Sequence, residues 1–467
     1  MEAHRTQTLR RAAAWGTGLA ALLVLGPRGA EAEALKVPYQ TFTLDNGLKV
    51  ILHEDHSVPV VTVNTWYHVG SGDEKPGRTG FAHLFEHIMF MGSQHVPTGD
   101  FDRLLEAAGA TNNGSTTEDR TNYYEDGPAN ALPLMLWLDS DRMGYLLPEI
   151  TSGKVDLQRG VVQNERRQSY ENQPYGLAEE NILSRLYPAE HPYHWPVIGS
   201  MADLSAATID DVKEFFKKYY APNNATMCIA GDIKPVEIRR AVEQYFADVP
   251  RGQDIARPTA PVFSLPADVF HTLEDRVQVP RVYNAWHSQK SWGSDDAALQ
   301  VMADVLAGGK SSRLYKRLVY ELQIASQVAA YQDAGRLDGK FVIFSTARPG
   351  HTLDEIQRVI DEEVKKLAES GPTVRELGRV RNSTEAQFIG AMEQVGGFSG
   401  KGNQLNYYNY FAGEPDSFEA DLNRYRKVTG ADVQRVTQQF LARPKRIVLS
   451  VVPQGQTKLA ATQGVQP

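Results

Sequence analysis

The stretch GFAHLFEHIMFMG, residues 80–92, places two histidines and a glutamate within five positions of a mostly apolar segment. Helical patterning predicts that His83, Glu86 and His87 share one face, because side chains three and four positions apart are neighbours on a helix. Two imidazoles at this spacing can hold one Zn²⁺, and Glu86 can act as general base toward a water on the metal. The alternative is a solvated helix face without metal. The apolar flanks disfavour it, because they predict burial and buried charge without a partner is costly.

The first residues of the chain are organised differently from the rest. A basic start with three arginines precedes the apolar stretch 12–25, and small residues follow at 30–32. This layout is typical of a secretory signal peptide, assigned to residues 1–32, although a retained N-terminal anchor has a similar pattern. No later stretch reaches about 18 continuous apolar residues. The sequence therefore predicts an exported protein with no stable membrane span in the mature chain.

Composition and charge limit the class of protein. The 467 residues, 42% of them hydrophobic and 23% charged, predict two or more globular domains. The formal charge is −8, and because residues 1–32 hold four Arg and two Glu, the remainder carries about −10. This charge argues against nucleic acid or an anionic membrane as the main partner. The single cysteine, Cys228, excludes an internal disulfide and lies in an apolar stretch that predicts a buried strand.

An internal repeat runs through the chain. Asp211-Val212 is echoed by Asp432-Val433 at an offset of 221 residues, and each pair is followed by an alanine, a proline and a β-prone stretch. Nearer the start, Asp45-Asn46-Gly47 lies between two β-prone stretches and predicts a hairpin. We therefore expect two homologous α+β domains, each an antiparallel sheet covered by helices.

A proline-rich segment separates the two repeats. Residues 248–268 contain four prolines and little periodicity, which indicates an interdomain linker, assigned to residues 251–268. The predicted N-terminal domain, 35–250, holds the histidine motif. The predicted C-terminal domain, 269–460, has no second copy of it. The chain therefore offers at most one metal site of this type.

With its order H-x-x-E-H, the motif is that of an inverzincin. The mature chain as a whole resembles the pitrilysin, insulin-degrading enzyme and mitochondrial processing peptidase family of zinc metallopeptidases. In that family the third zinc ligand is a downstream glutamate in a helix of the form V-V-x-N-E. The segment VVQNERR places it at Glu165, 78 residues beyond His87. The resemblance implies that His83, His87 and Glu165 hold one Zn²⁺ per chain and that Glu86 activates zinc-bound water.

Other segments extend the resemblance to substrate binding. TNNGSTTEDRTNYY, residues 111–124, resembles an edge-strand segment written N-A-x-T that pairs with the substrate backbone, with Asn113 as the substrate-binding residue and Gly114 in place of alanine. An ordinary turn-rich hairpin would have a similar sequence. Arg313 and Tyr320, seven apart, resemble a pair that hydrogen-bonds the substrate across a closed chamber. The alternative is that they share a helix face and simply pack.

Two further histidines, His191 and His194, and the residue Gln158 lie in segments that differ from the family pattern or extend it. The segment HPYHWPVIG resembles a family segment in which His194 replaces a glycine, and we expect His191 and His194 to be structural. A second glutamate often precedes the family's ligand glutamate by seven positions, but here that residue is Gln158. Loss of a supporting carboxylate is expected to weaken the binding of zinc or the positioning of the general base.

The resemblance implies a zinc-dependent endopeptidase that hydrolyses peptides or unfolded polypeptides in a closed chamber. The mature chain, about 435 residues, matches the half-length form, half of a clam-shell. A homodimer, or a heterodimer with a related subunit, is therefore expected, in the periplasm by analogy with bacterial members. One alternative is a non-catalytic or partner-dependent subunit of a heterodimeric peptidase. Another is a periplasmic metal-binding or storage protein, which would need no general base.

Overall fold

Eleven strands lie in the described part of the chain. The structure is a computed structural model that describes residues 35–443 and 445–462, so the predicted signal peptide lies outside the described residues. The strands are β1 (Gln40–Thr43), β2 (Lys49–Glu54), β3 (Val60–Tyr67), β4 (Thr111–Thr116), β5 (Thr121–Pro128), β6 (Ala225–Gly231), β7 (Val269–Asp275), β8 (Arg281–Ser288), β9 (Ala325–Ala334), β10 (Gly339–Ala347) and β11 (Arg446–Pro453). They form two sheets, in the orders β1-β2-β6-β3-β5-β4 and β7-β11-β8-β10-β9.

Fourteen α-helices cover these sheets within the same described ranges. They are α1 (Phe81–Ile88), α2 (Asp100–Ala107), α3 (Leu132–Tyr145), α4 (Ser152–Arg166), α5 (Ala178–Leu186), α6 (Met201–Ala206), α7 (Ile209–Tyr219), α8 (Pro235–Phe246), α9 (Asp296–Ala307), α10 (Leu353–Ser370), α11 (Val374–Ala391), α12 (Lys401–Phe411), α13 (Phe418–Lys427) and α14 (Gly430–Val436). π-helical turns follow at Arg167–Glu171, Tyr315–Glu321 and Thr437–Leu441. Among the residues described, no helix is both long and apolar enough to cross a membrane.

The internal repeat corresponds to the same unit in both sheets. Helix α7 begins with a capping box in which Thr208 and Asp211 bind each other's backbone N–H groups, and α14 begins with the equivalent pair Thr429 and Asp432. Strand β6 then pairs parallel to β2 and antiparallel to β3, while β11 pairs parallel to β7 and antiparallel to β8. The prediction of two homologous α+β halves covered by helices is therefore confirmed.

The sheets differ from the expectation in one respect, because each contains a parallel pair. The reason is topological, since β6 and β11 each return to the sheet after helices, and such a crossover can lay a strand parallel to its neighbour. The predicted hairpin is present, with β1 and β2 antiparallel and Gly47 in the turn at φ 94°. Cys228 is buried in β6, as expected, and burial raises the pKa of its thiol.

Each half of the chain supplies a helix to the other half's sheet. On β3, Thr65 donates to Asp139 of α3 (2.8 Å), so one face of the first sheet meets its own helices. The opposite face meets α12 from the second half of the chain. Trp66 donates to Asn403 (2.8 Å), and Asn406 donates to the carbonyl of Asn64 (2.8 Å). In return, α5 packs on β8 and β11 of the second sheet. The halves are therefore interlocked by more than the linker.

A buried ion network ties β5 to α3 inside the first half. The Arg142 guanidinium, 2% exposed, donates to Glu125 (2.6 Å) and pairs with Asp139. It also lies over the rings of three neighbours, Phe90, Phe101 and Tyr123, at 4.7–5.7 Å from the ring centroids. Both carboxylates are as buried as the guanidinium, so each depends on it for charge compensation.

Arg142→Leu is predicted to destabilise the chain strongly, because it leaves two buried carboxylates without their cation. We expect the free energy of unfolding to fall by about 3–5 kcal/mol, measured by urea unfolding. Arg103→Leu is the matched control, since Arg103 lies on the surface of α2 and, among the residues described, its ion pair is with Asp100. Equal urea midpoints for the two variants would contradict this role of Arg142.

Candidate metal centre

The helix α1 is amphipathic in the way that the sequence predicts. It begins after Gly80, whose φ of 87° suits glycine, and its apolar side is formed by buried side chains that include Leu84 and Phe85. The polar side carries His83, with 12% of its side chain exposed, and His87, with 25% exposed. The helix is thus held by its apolar face while both imidazoles remain reachable.

The start of α1 is held by a carboxylate that sequence reasoning missed. Gly80 has no side chain with which to cap the helix, and Glu74 instead accepts hydrogen bonds from the N–H groups of Gly80 (3.0 Å) and Ala82 (2.8 Å). Trp195 donates to the same carboxylate (3.2 Å). Burial raises the pKa of Glu74 to about 8. No cap signal precedes α1 in the sequence, because Glu74 stands six residues before Gly80 and reaches it only through the fold.

A second helix, α4, brings a carboxylate to the imidazoles. Nε2 of His83 lies 3.7 Å from one oxygen of Glu165, and Nε2 of His87 lies 3.3 Å from the other. One nitrogen or oxygen atom from each of these three residues lies within 4.8 Å of the others. The two imidazole rings meet edge to face, with centroids 4.9 Å apart. Two nitrogens and one carboxylate form a donor set typical of catalytic zinc.

Local electrostatics suit these residues to a divalent metal. Burial lowers the pKa of His83 to about 4, although the Glu165 carboxylate acts in the opposite direction. The contact with His87 lowers the pKa of Glu165. Neutral imidazole and ionised carboxylate are the forms that bind zinc, so the three side chains fit the metal that the motif implies.

Support for His83 is incomplete on the side away from Glu165. Its Nδ1 atom is buried and has no hydrogen-bond partner among the described residues. Gln158, which stands where the family often has glutamate, donates instead to the sulfur of Met91 (2.7 Å). Metal-binding imidazoles usually donate their second nitrogen to a carboxylate or carbonyl. The departure noted in the sequence therefore coincides with an unsupported imidazole nitrogen.

The candidate base Glu86 is anchored by the edge of the first sheet. Thr116 of β4 donates to Oε2 of Glu86 (2.6 Å), and Oε1 accepts no hydrogen bond from any described residue. Gly114 lies so close that a Cβ there would be 3.1 Å from Cγ of Glu86. Burial raises the pKa of Glu86, while the hydrogen bond from Thr116 opposes that shift. The Glu86 carboxylate is thus positioned by the hydrogen bond to its Oε2 atom.

Strand β4 is the edge of its sheet. Among the described strands it pairs only with β5. Asn113 is exposed on this edge, where its side chain accepts from the N–H of Gly114 (2.8 Å) and bonds the Tyr124 hydroxyl. Asn113 pairs directly with Tyr124, whereas Gly114 and Thr116 face α1. The outer edge of β4 next to Glu86 pairs with no described strand, and its Gly114 N–H is held by the Asn113 side chain.

Two residues assigned to the substrate lie elsewhere in the single chain. Arg313 donates twice to Glu376, at 2.7 and 2.9 Å, and also to the carbonyl of Gly371. Tyr320 is 75% exposed. Within the described residues, neither makes a hydrogen bond or ion pair with Glu86 or the three candidate ligands. Within the described part of one chain, Arg313 is thus bonded to other groups than the candidate metal centre.

The remaining histidines of the motif HPYHWPVIG are bonded to other groups. His191 is fully buried, contacts Asp338 (3.2 Å) and accepts from the N–H of Tyr193 (3.0 Å). His194 bonds the carbonyl of Tyr187 (2.7 Å). These contacts agree with the structural role expected for both.

Two family models match successive parts of the chain. The family model described as Insulinase (Peptidase family M16) matches residues 49–194, and the one described as Peptidase M16 inactive domain matches residues 206–384. Zinc protease PqqE of Helicobacter pylori is 28% identical over 383 residues, which cover 81% of this chain and 86% of that relative. Its name supports a peptidase role and zinc in general terms.

Solved structures share the fold. The crystal structure of a protease from Helicobacter pylori has a TM-score of 0.84 at 25% identity, with 90% of this chain and 100% of that chain covered. The periplasmic protease PqqL from Escherichia coli has a TM-score of 0.75 at 18% identity, with 92% of this chain but 50% of that chain covered. Because the M16 models match both halves, the chain belongs to peptidase family M16, which confirms the resemblance drawn from its motifs.

Proposed function

We propose that the chain is a zinc-dependent endopeptidase that cleaves peptides or unfolded polypeptides bound in extended form. The observation that carries this proposal is the convergence of His83, His87 and Glu165 beside a carboxylate, Glu86, that contacts an open sheet edge. The relative named zinc protease supports the same activity class. A storage protein would need the three ligands but not an anchored base at a peptide-binding edge.

In this mechanism His83, His87 and Glu165 would hold the zinc. When bound, zinc supplies a Lewis acid that polarises the peptide carbonyl and lowers the pKa of water. Glu86 is kept in position by Thr116 at Oε2, so Oε1 takes the proton from the attacking water. The same oxygen then returns the proton to the nitrogen of the departing amine.

The outer edge of β4 binds the substrate backbone as an added strand. Its backbone N–H and C=O groups pair with the peptide, as in other cases of β-augmentation. Gly114 and Thr116 are the residues of β4 that lie against Glu86, so the cleaved bond lies at this level of the edge. Asn113 on one side of Gly114 and Thr116 on the other then flank the reacting peptide.

A second subunit completes the chamber over this edge. This chain covers 50% of PqqL, and among the described residues Arg313 and Tyr320 make no hydrogen bond or ion pair with their own chain's candidate ligands. In a homodimer, or in a heterodimer with a related subunit, the pair of one chain faces the metal centre of the other. To bind substrate, the Arg313 guanidinium would either keep its ion pair with Glu376 or replace it by a hydrogen bond to the substrate. Tyr320 is exposed and needs no such change. Export by the predicted signal peptide places the assembly in the periplasm.

One observation favours a weaker second candidate, a subunit that is inactive without its partner. Nδ1 of His83 lacks a partner among the described residues, and Gln158 is turned to Met91. Such a subunit would bind zinc poorly or cleave only when mixed with the related chain. Assays of the purified chain with and without a candidate partner separate the two functions.

Glu86→Gln is predicted to abolish cleavage while zinc stays bound, because the amide cannot take a proton from water. We expect kcat/KM on quenched peptides to fall by about 10²–10⁴-fold, with zinc content near one per chain. Glu106→Gln on the exposed face of α2 is the control and should leave both quantities unchanged. Wild-type rates in Glu86→Gln would exclude Glu86 as the base.

Glu165→Ala is predicted to lose zinc, because two imidazoles alone form an incomplete site. We expect affinity to fall on the order of 100-fold or more, measured by competition with a chromophoric chelator. Asp156→Ala is the control on the same helix, since in the described part of the chain its exposed carboxylate forms an ion pair with Arg159. Unchanged zinc affinity in Glu165→Ala would remove Glu165 from the ligand set.

A further inference from the structure

We propose that Phe398, which comes from the second half of the chain, forms with Tyr124 an apolar shelf beside β4 that selects an apolar substrate side chain. The inference rests on the proposed function and adds a specificity determinant to it. Neither residue belongs to the metal centre. Phe398 lies beside Tyr124 because α12 and the segment before it pack on the first sheet.

The two faces of β4 carry different groups. Thr116 and Gly114 face α1, where they meet Glu86. The intervening residues face the opposite side, because side chains alternate along a strand. Asn113 therefore shares its face with Tyr124, its direct partner on β5. A peptide added to this edge alternates in the same way, so a residue next to the one facing Glu86 projects its side chain to the face that carries Asn113 and, one strand further in, Tyr124.

Phe398 occupies this second face. Its ring meets that of Tyr124 edge to face, with centroids 4.9 Å apart, yet 40% of Phe398 remains exposed. Its carbonyl accepts from Asn403 (2.7 Å), and Asn403 also accepts from Trp66 of β3 (2.8 Å). An exposed aromatic side chain is thus held firmly next to the edge that binds the peptide.

Glycines make this approach possible. A Cβ on Gly396 would lie 2.1 Å from a carboxylate oxygen of Asp126 on β5, and one on Gly402 would lie 2.7 Å from Cγ2 of Thr62 on β3. The N–H of Gly397 donates to the Asp126 carboxylate. The backbone before α12 therefore lies directly on the sheet, and the Phe398 ring is the bulky group that this segment presents.

The chemistry of the shelf indicates which side chains it takes. Two ring surfaces favour an aromatic or branched aliphatic side chain, which gains contact area on both. Asp126 at the end of the shelf disfavours an acidic side chain by charge repulsion. The expected preference is therefore for phenylalanine or leucine over alanine, and for alanine over glutamate, at one position next to the cleaved bond.

The alternative is that Phe398 only covers Tyr124 and has no contact with substrate. A covering role would alter stability and the rates on all peptides together. A shelf would alter the rates on peptides according to one side chain. The two roles are therefore separated by comparing rates across a peptide series rather than by activity on one peptide.

The test uses the zinc-loaded mature chain and quenched peptides that differ only at single positions near the cleaved bond. In Phe398→Ala, we expect kcat/KM to fall on the order of 10-fold or more for phenylalanine or leucine at one position, and to stay unchanged for alanine there. Phe398→Leu should keep most of the preference. Val374→Ala, at an exposed site of α11, is the control. Thermal unfolding and zinc content should match wild type in all variants.

An equal loss on every peptide, or an unchanged preference in Phe398→Ala, would overturn the shelf while leaving the peptidase intact. If Phe398→Ala does not fold, Phe398→Leu decides, because a changed ratio of phenylalanine to alanine rates supports the shelf and an unchanged ratio overturns it. No cleavage of any peptide by wild type, even with a candidate partner subunit, would instead overturn the proposed function and this inference with it.

Discussion

The rest of the site depends on the fixed position of α1, which packs between α4 and the edge strand of the first sheet. Its apolar face is fixed by packing against the core, including the stacked ring of Phe85 against Phe215 and Phe216. Its polar face then has two neighbours. Glu165 on α4 meets the imidazoles, and Thr116 on β4 meets Glu86. A small rotation of α1 would break both sets of contacts at once, and Glu74 opposes such movement by holding its first turn.

The exchange of helices between the two halves has a functional consequence. The first sheet is covered by its own helices on the metal side and by α12 on the other side. The second half of the chain therefore contacts the sheet of the first half through α12, even though the second half has no H-x-x-E-H motif of its own. In the arrangement that we propose, the second half contributes Phe398 to the substrate edge and offers the exposed Tyr320 to a second subunit.

Local patterns in the sequence predict much of this arrangement. The spacing of His83, Glu86 and His87 is enough to predict a shared helix face, and the pairs Asp211-Val212 and Asp432-Val433 mark the repeat that relates the halves. The approach of Glu165 depends on packing between α1 and α4, and it was inferred by resemblance rather than from spacing. Its position beside the imidazoles agrees with that inference, while the identity of the ligands stays a prediction.

Other features lie beyond sequence reasoning because they depend on long-range packing. The parallel pairs β2–β6 and β7–β11 follow from crossover topology, which alternation along single strands does not specify. Glu74 carries no cap signal, and the contact of Phe398 with Tyr124 joins residues 274 positions apart. Arg313 fitted a family pattern in sequence, yet its guanidinium is bonded to Glu376 within the chain. Each case involves partners that only the folded chain brings together.

The central claim is that zinc held by α1 and α4 makes this chain a peptidase. The most direct measurement is metal add-back on the purified mature chain. Cleavage of a quenched peptide library is measured on three samples: the chain as purified, the chain after treatment with a chelator and dialysis, and the dialysed chain after addition of one equivalent of Zn²⁺. The account predicts cleavage that disappears with the chelator and returns with zinc. Stoichiometric zinc binding without cleavage, even with a related subunit added, would contradict it.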